Sequence, residues 1–477
     1  MKTLFSIIIS FVISFNLMAQ EITVSEPLPV RADVRSTIIG KLGGKTLLLL
    51  NKYTEIQLVA FNDKMFKAFE KEIDLERKNA KMIDVLATNR EEFFIFYTHR
   101  EKGDNFLKAQ QFDHTGTVID TVIIKEFGVQ LYNPRLQAYH SEDKSKVLFY
   151  SYEAGRIKHV YVFDTQSKEL LWDDDFDDIK LSNDALDQIV IDNQGNLYVI
   201  IPKNNFQSKS KKHYFEITER NATAAKRVVY TVSLDSLLTY DNYFEFDNLN
   251  QQLVAGGLYS EKSRGRAQGY YYLAIPKGAP ESPVFNKYTF EQDFVEEFMG
   301  KPEIKNKGID QVEVNSIMFR RDGGVLMFGE RIKEDNRYGS GMTATPGYDS
   351  NVYNKGGQDY LYNNVFIASI HPTGELHWQH VLHKKQYSYD DDGIFSSYFL
   401  LKTPNNIRLL FNDDIQLENT VSEYILEGNG TVERNSVMNT EAQDLQLQFK
   451  DAVQVGAREM LVKSERRNKL KLVRLRF

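Results

Sequence analysis

The sequence predicts an all-β chain folded as a single closed β-propeller of about eight four-stranded blades, with seven the alternative count. Three observations carry that expectation. Short apolar strands recur along the chain, polar Asp-, Asn- and Gly-rich turns set them apart, and the two ends each leave an incomplete set of strands that would complete one another.

The recurring strand occurs at Thr46–Leu50, Glu92–Phe96, Lys146–Tyr150, Asn196–Ile200, Gln252–Ala255, Gly324–Phe328, Ile407–Phe411 and Arg458–Val462, with successive copies roughly 46 to 83 residues apart. Each follows a polar turn and another strand. Gln188–Ile191 leads into Asp192–Gly195, and Ser316–Phe319 into Arg320–Gly324. Such turns mark hairpins, because Asn, Asp and Gly tolerate the positive φ that tight loops need. A third strand follows at Ile56–Phe61, His159–Phe163, Tyr270–Ile275, Val365–Ile370 and Leu470–Leu475, and in several copies a turn and a fourth strand come next. Four-stranded units at this period read as propeller blades. The last copy offers three strands, at about 451–456, 458–464 and 469–477, while Ile22–Ser25 is left over near the start. Pairing these ends closes the ring and hides two strand edges. A membrane barrel needs strands of about 9–11 residues with lipid-facing alternation, which these short strands do not supply.

Two of the third-to-fourth-strand turns, Phe163–Trp172 and Ile370–Trp378, resemble those of the quinoprotein-like (tryptophan-docking) propeller superfamily, in which a strand, an Asp, a Thr-Gly turn and a Trp recur. The resemblance covers two of about eight blades well. It implies the propeller fold, but the chain has only these two tryptophans, so the superfamily's ring of docking indoles is not repeated.

Composition bounds the rest. A 42% hydrophobic, 12% aromatic chain of 477 residues is folded and has enough apolar surface for a large core. A net charge of −7 gives no electrostatic ground for nucleic-acid binding. With no cysteine, disulfides, thiolate nucleophiles and thiolate metal sites are excluded. Lys2 and the apolar run Leu4–Leu17, ending at Ala19, read as a signal peptide over residues 1–19, too short to span a bilayer. The expectation is export to a periplasm, cell surface or extracellular space, with no transmembrane segment after cleavage and residues 20–477 forming the propeller.

In an antiparallel four-stranded blade, the loops joining strands two and three and those leading to the next blade emerge on one face. The two largest insertions fall in these classes. Residues at about 291–311 follow Phe290, and Phe290, Phe294, Val295 and Phe298 have the spacing of a short amphipathic helix. Residues at about 333–364 are rich in Gly, Asn and tyrosine (Tyr338, Tyr348, Tyr353, Tyr360 and Tyr362), a composition suited to recognition. Basic loops with Lys209, Lys211, Lys212, Arg264 and Arg266 are expected on the same face, beside acidic runs at Asp173–Asp178 and Asp390–Asp392. The acidic run at 173–178 lacks the turn Gly and closing Glu of a calcium loop, and alternation separates His380 from His377 and His383, so no metal site is expected. No nucleophile elbow, zinc-protease motif or phosphate loop occurs. The sequence thus points to an exported non-catalytic module, without cofactor, that binds a protein, peptide or glycan at the cell envelope. The alternative is a propeller enzyme, carbohydrate-active or quinoprotein-like, with its groups in the central channel.

Overall fold

A computed structural model describes residues 20–477 except 32, 53–54, 77–79, 130–133, 154, 182–185, 207–210, 225, 262–264, 303–307, 337–356, 414 and 416–419. Residues 1–19, expected from sequence to be a signal peptide, and most of the second insertion lie outside the described residues. Among the described residues no helix is long and apolar enough to cross a membrane.

Eight antiparallel sheets stand around one axis, seven built on four consecutive strands and the eighth on the last three strands and the first. Their innermost strands are Arg35–Leu42, Lys81–Ala87, Leu136–His140, Gln188–Ile191, Leu238–Asp247, Val312–Phe319, Phe399–Lys402 and Leu447–Gly456, which define blades 1 to 8. Innermost strands touch between blades 1 and 2, 2 and 3, 4 and 5, 5 and 6, 7 and 8, and 8 and 1. All eight recurring apolar segments of the sequence are second strands. They are buried on both faces because each sheet is covered by a blade on either side, as at Leu47–Leu50 and Phe93–Tyr97. The outermost strands revert to exposed polar residues, as in Lys67–Ile73 of blade 1.

The hairpin turns form for the reason their composition suggests. At Asp192–Asn196 the Asp192 carboxylate accepts the N–H groups of Gln194 and Asn196, at 2.9 and 2.8 Å, and Gly195 takes φ +84°. A side chain at Gly195 would meet Leu171 at 2.6 Å, because the turn docks on blade 3. That docking also uses a tryptophan: the Trp172 indole N–H donates to the Gly195 carbonyl at 2.9 Å, and Trp378 of blade 6 reaches the Gly428 carbonyl of blade 7 at 3.4 Å.

The ring closes as the ends predict. Glu21–Val24 pairs antiparallel with Lys469–Arg476, Ile22 opposite Leu475 and Val24 opposite Val473, to become the fourth strand of blade 8. Ser25 N donates to Leu472 O at 2.8 Å, and Leu472 N returns a bond to Ser25 Oγ at 2.9 Å. Ile22 and Val24 lie half-buried on the core between blades 7 and 8. Deleting residues 20–25 is therefore expected to cost on the order of 3 kcal/mol and to expose the edge of Lys469–Arg476. Urea midpoints and light scattering test this, and an unchanged midpoint with no aggregation would show that the ring does not need the strand.

Both insertions rise from the same end of the ring. The first carries the helix Gln292–Met299, whose Phe294, Val295, Phe298 and Met299 are buried against Phe366 of blade 6. Gly300 ends it at φ +68°, its N–H bonding Glu296 O at 2.9 Å. The second begins and ends as strand. Blade 6's Val325–Asn336 and Gln358–Ile370 run on past the sheet, and Gln386–Tyr389 joins the extension beside Gln358–Ile370.

Candidate functional site: the mouth of the central channel

The innermost strand of blade 5 shows how the channel is lined. In Leu238–Asp247, Asn242, Phe244 and Phe246 are buried, whereas Asp241, Tyr243 and Glu245 are half-buried on the opposite side. Period-two alternation thus sends one set into the core between blades 4 and 5 and the other towards blade 6 and the axis. Asp241 Oδ2 accepts the Val314 N–H of blade 6 at 2.6 Å. Burial first, and the nearby Glu313 carboxylate in addition, push the Asp241 carboxyl up to about 7. Further along the strand, burial pushes Glu245 to about 7, with Lys402 of blade 7 opposing the shift and Glu142 of blade 3 adding to it. Burial, together with the charge of Glu245, raises the hydroxyl pKa of Tyr139 in blade 3 and of Tyr243. Groups from blades 3, 5 and 7 therefore converge on one stretch of channel.

Bracing between blades fixes this lining. His140 Nε2 lies 2.5 Å from Asp84 Oδ2, joining blades 2 and 3. Gln188 of blade 4 donates to Asn242 O and accepts from Phe244 N, both at 2.6 Å. Tyr398, just before blade 7, donates its hydroxyl to Asn315 Oδ1 of blade 6 at 2.6 Å.

At the insertion-bearing end the mouth is built around a buried ion pair. Glu330, on the second strand of blade 6, lies 2.5 Å from Lys384 Nζ, and neither side chain is more than 1% exposed. Two lone charges here would be untenable, so both are wrapped in further bonds. Ser397 Oγ donates to Glu330 Oε2 at 2.6 Å and Asn315 Nδ2 to the same oxygen at 3.1 Å. Lys384 donates to Tyr362 O at 3.1 Å and Gln386 Oε1 at 2.7 Å. Burial pulls the Lys384 pKa down, against the raising effect of Glu330.

Above the pair, Tyr362 forms the wall of the mouth. Its hydroxyl receives a bond from Lys450 Nζ of blade 8 at 2.8 Å and lies 3.3 Å from Glu334 Oε1. Tyr360 points the same way, its hydroxyl 3.3 Å from Asp392 Oδ1. Glu313, Glu334 and Lys450 face solvent. Glu313 opens to solvent, yet the protein walls around it keep part of its hydration shell away and raise its carboxyl pKa, as do Glu334 and Glu330, while Lys450 opposes this. The result is a fixed floor of paired charge under an accessible rim of carboxylates, one ammonium and tyrosine.

The residues expected from sequence are distributed unevenly over this site. Tyr360 and Tyr362 stand at the mouth, but only 4% and 5% exposed, so they shape it from within. Tyr338, Tyr348, Tyr353, Lys209 and Arg264 lie outside the described residues. Lys211 and Lys212 are exposed on the loop of blade 4. Arg266 is held by Asp310 at 3.1 Å and Gly308 O at 3.2 Å, tying down the first insertion. The run at 173–178 is taken up in polar contacts: ion pairs of Asp173 with Lys125, Asp174 with Arg220 and Arg227, Asp177 with Lys158 and Asp178 with Arg227, and a hydrogen bond between Asp175 and His159. Among the described residues no group of three or more His, Asp or Glu is placed to hold a metal ion. Asp241, Glu245, Glu313, Glu330, Lys384 and Lys450 were not singled out from sequence. The one signal for the first two is the polar and aromatic alternation in Asp241–Asp247, at the start of a blade where channel residues must lie.

Fold and site together define the class: an eight-bladed β-propeller, closed by its N-terminal strand, with a polar, tyrosine-walled channel mouth under the blade 6 extension. No family model matches the chain, and no curated protein matches it in sequence. Similar solved structures are propellers. They include the C-terminal WD40 domain of Sif2, at 9% identity and a TM-score of 0.46 over 94% of this chain and 98% of that one. The β-propeller domain of the Trilobed protease from Pyrococcus furiosus aligns at 11% identity and a TM-score of 0.37, over 88% and 99%. Porphyromonas gingivalis dipeptidyl peptidase 4 aligns at 11% identity and a TM-score of 0.43 over 92% of this chain, which spans 59% of that one. The likeness is one of fold.

Proposed function

We propose that this chain is an exported binding module that takes a protein, peptide or glycan at the cell envelope through the mouth of its channel. The observation that carries the reading is the rim of Glu313, Glu334, Lys450 and Tyr362 set on the buried Glu330–Lys384 pair. Preorganised polar groups on a rigid floor lose little freedom when a ligand arrives, which favours recognition. Export is supported by the apolar run Leu4–Leu17.

A second reading is favoured by one observation. Asp241 accepts a backbone N–H yet holds its proton up to about pH 7, next to Glu313, and a carboxylic acid kept neutral beside a second carboxyl is the pairing that glycoside hydrolysis uses.

One experiment separates them. The protein is purified natively from the envelope fraction and retained molecules are identified by mass spectrometry, for the wild type, for Glu313→Gln/Lys450→Gln and for Asp241→Asn. The binding reading expects a stoichiometric partner, lost about tenfold or more in the double variant and kept in Asp241→Asn. Polysaccharide turnover abolished by Asp241→Asn would replace it with the enzyme, and a partner indifferent to the mouth variant would overturn it.

A further inference from the structure

The strand that closes the ring begins one residue after the expected cut. Cleavage behind the small residue Ala19 makes Gln20 the N-terminal residue and leaves Glu21–Val24 whole. Period-two alternation sets the side on which Gln20 lies. Ile22 and Val24 pack on the core between blades 7 and 8, and Gln20, two positions before Ile22, shares their face. The Gln20 side-chain amide nitrogen is buried and finds no hydrogen-bond partner among the described residues. A buried N–H without an acceptor has given up its water for nothing, so this amide is destabilising where it stands.

On the other face of the strand the charges are already matched. Glu21 lies 3.0 Å from Arg476 and 3.7 Å from Arg474, and both arginines also reach Glu459, at 3.4 and 3.7 Å. Lys41 of blade 1 joins Asp63 at 3.1 Å and Glu459 at 3.7 Å. Three cations thus meet three carboxylates. A free terminal ammonium one residue from Glu21 adds a fourth cation to a balanced set.

Both features favour the same product. We infer that Gln20 is a modification site, at which the exported chain carries a pyroglutamyl N-terminus. The inference rests on the export reading. Once the leader is cut, and before the terminus folds onto blade 8, the freed α-amine of Gln20 attacks its own side-chain Cδ. The bond from the α-nitrogen to Cδ forms, the bond from Cδ to Nε2 breaks, and Nε2 leaves as ammonia with the proton the amine gives up. The step is neither an oxidation nor a reduction and needs no co-reactant. The five-membered lactam has lost the amide nitrogen that the apolar face cannot satisfy, and being uncharged it leaves the ion network balanced. It also offers no α-amine to an aminopeptidase, which protects the strand that closes the ring.

The test uses the protein made from the full sequence with its own leader in its native host and purified from the envelope fraction. Primary amines are dimethylated before digestion, and the intact chain and its N-terminal peptide are weighed and fragmented. The expected wild-type chain starts at residue 20, is lighter than the unmodified chain by one ammonia, about 17 Da, and carries no label on its α-nitrogen. Gln20→Ala is expected to start at the same position, to take the label there, and to be shortened by an aminopeptidase that leaves the wild type intact. A wild-type chain that starts at Gln20 with full mass and a labelled α-amine would overturn the inference and leave export standing. A chain cut elsewhere also overturns it, and one that keeps its leader overturns the inference and the export reading together. Mass and label are covalent readouts, so none of these outcomes depends on how stably the variant folds.

Discussion

Lys384→Met is expected to lower the unfolding free energy by about 3–5 kcal/mol, because it strands the Glu330 carboxylate in a site with no access to water. The loss has little to do with the Coulomb energy of the pair, which burial largely offsets in the wild type. What is lost is the only cation within ion-pair distance of Glu330 among the described residues. The hydrogen bonds from Ser397 and Asn315 remain but carry no full charge. Adding Glu330→Gln should recover most of the stability, since a glutamine oxygen still accepts from Ser397 and Asn315 and no charge is left. Urea denaturation of the two single variants and the double variant forms the cycle. If Lys384→Met alone were neutral, the mouth would be wet, and the rigid floor on which the recognition argument rests would be absent.

The second large effect concerns pH. Asp241 and Glu245 both sit at about 7 in the folded protein, burial being the first cause for each, whereas in the unfolded chain they titrate near ordinary carboxylate values. Across that window the folded state binds more protons than the unfolded state. Stability therefore falls as pH rises from about 4 to about 7, and the loss is complete above it. Each group accounts for roughly 4 kcal/mol on this reasoning. Carboxylates held down by lysines, Asp63 by Lys41 and Asp120 by Lys168, act in the opposite sense at lower pH, losing their contribution as pH falls through their lowered values. The wild type should thus be most stable near pH 4. Asp241→Asn/Glu245→Gln should match it there and exceed it at pH 8 by several kcal/mol, read from urea midpoints at the two pH values. A gain of equal size at both would mean that ionisation in the channel is not the source.

Particular residues show how far the sequence reaches. Leu47–Leu50 and Phe93–Tyr97 announce strands covered on both faces, and the Asp192–Gly195 turn announces the hairpin that joins two of them, because burial and turn geometry are local demands met by local residue types. The same holds for the helix of the first insertion, whose four buried apolar residues lie at helical spacing. Closure of the ring was legible because an incomplete blade at one end and a spare strand at the other have one economical solution.

The channel was legible only in outline. Glu330 follows Phe328-Gly329 in a strand that reads as core, and Lys384 sits in a His383–Lys385 run that reads as surface, yet the two meet across 53 intervening positions in one buried pair. Lys450 reaches Tyr362 from a different blade. Tyr360 and Tyr362 were singled out by composition, but the strand's register, invisible in composition, turns them inward and leaves Tyr387 and Tyr389 outside. The sequence by itself determined the blades, their count to within one and the closure of the ring, because those follow from periodicity along the chain. Only the tertiary structure decided which charges are paired and which side of the extension meets solvent. A radial fold brings residues together by blade and register, and neither is a function of their distance in sequence.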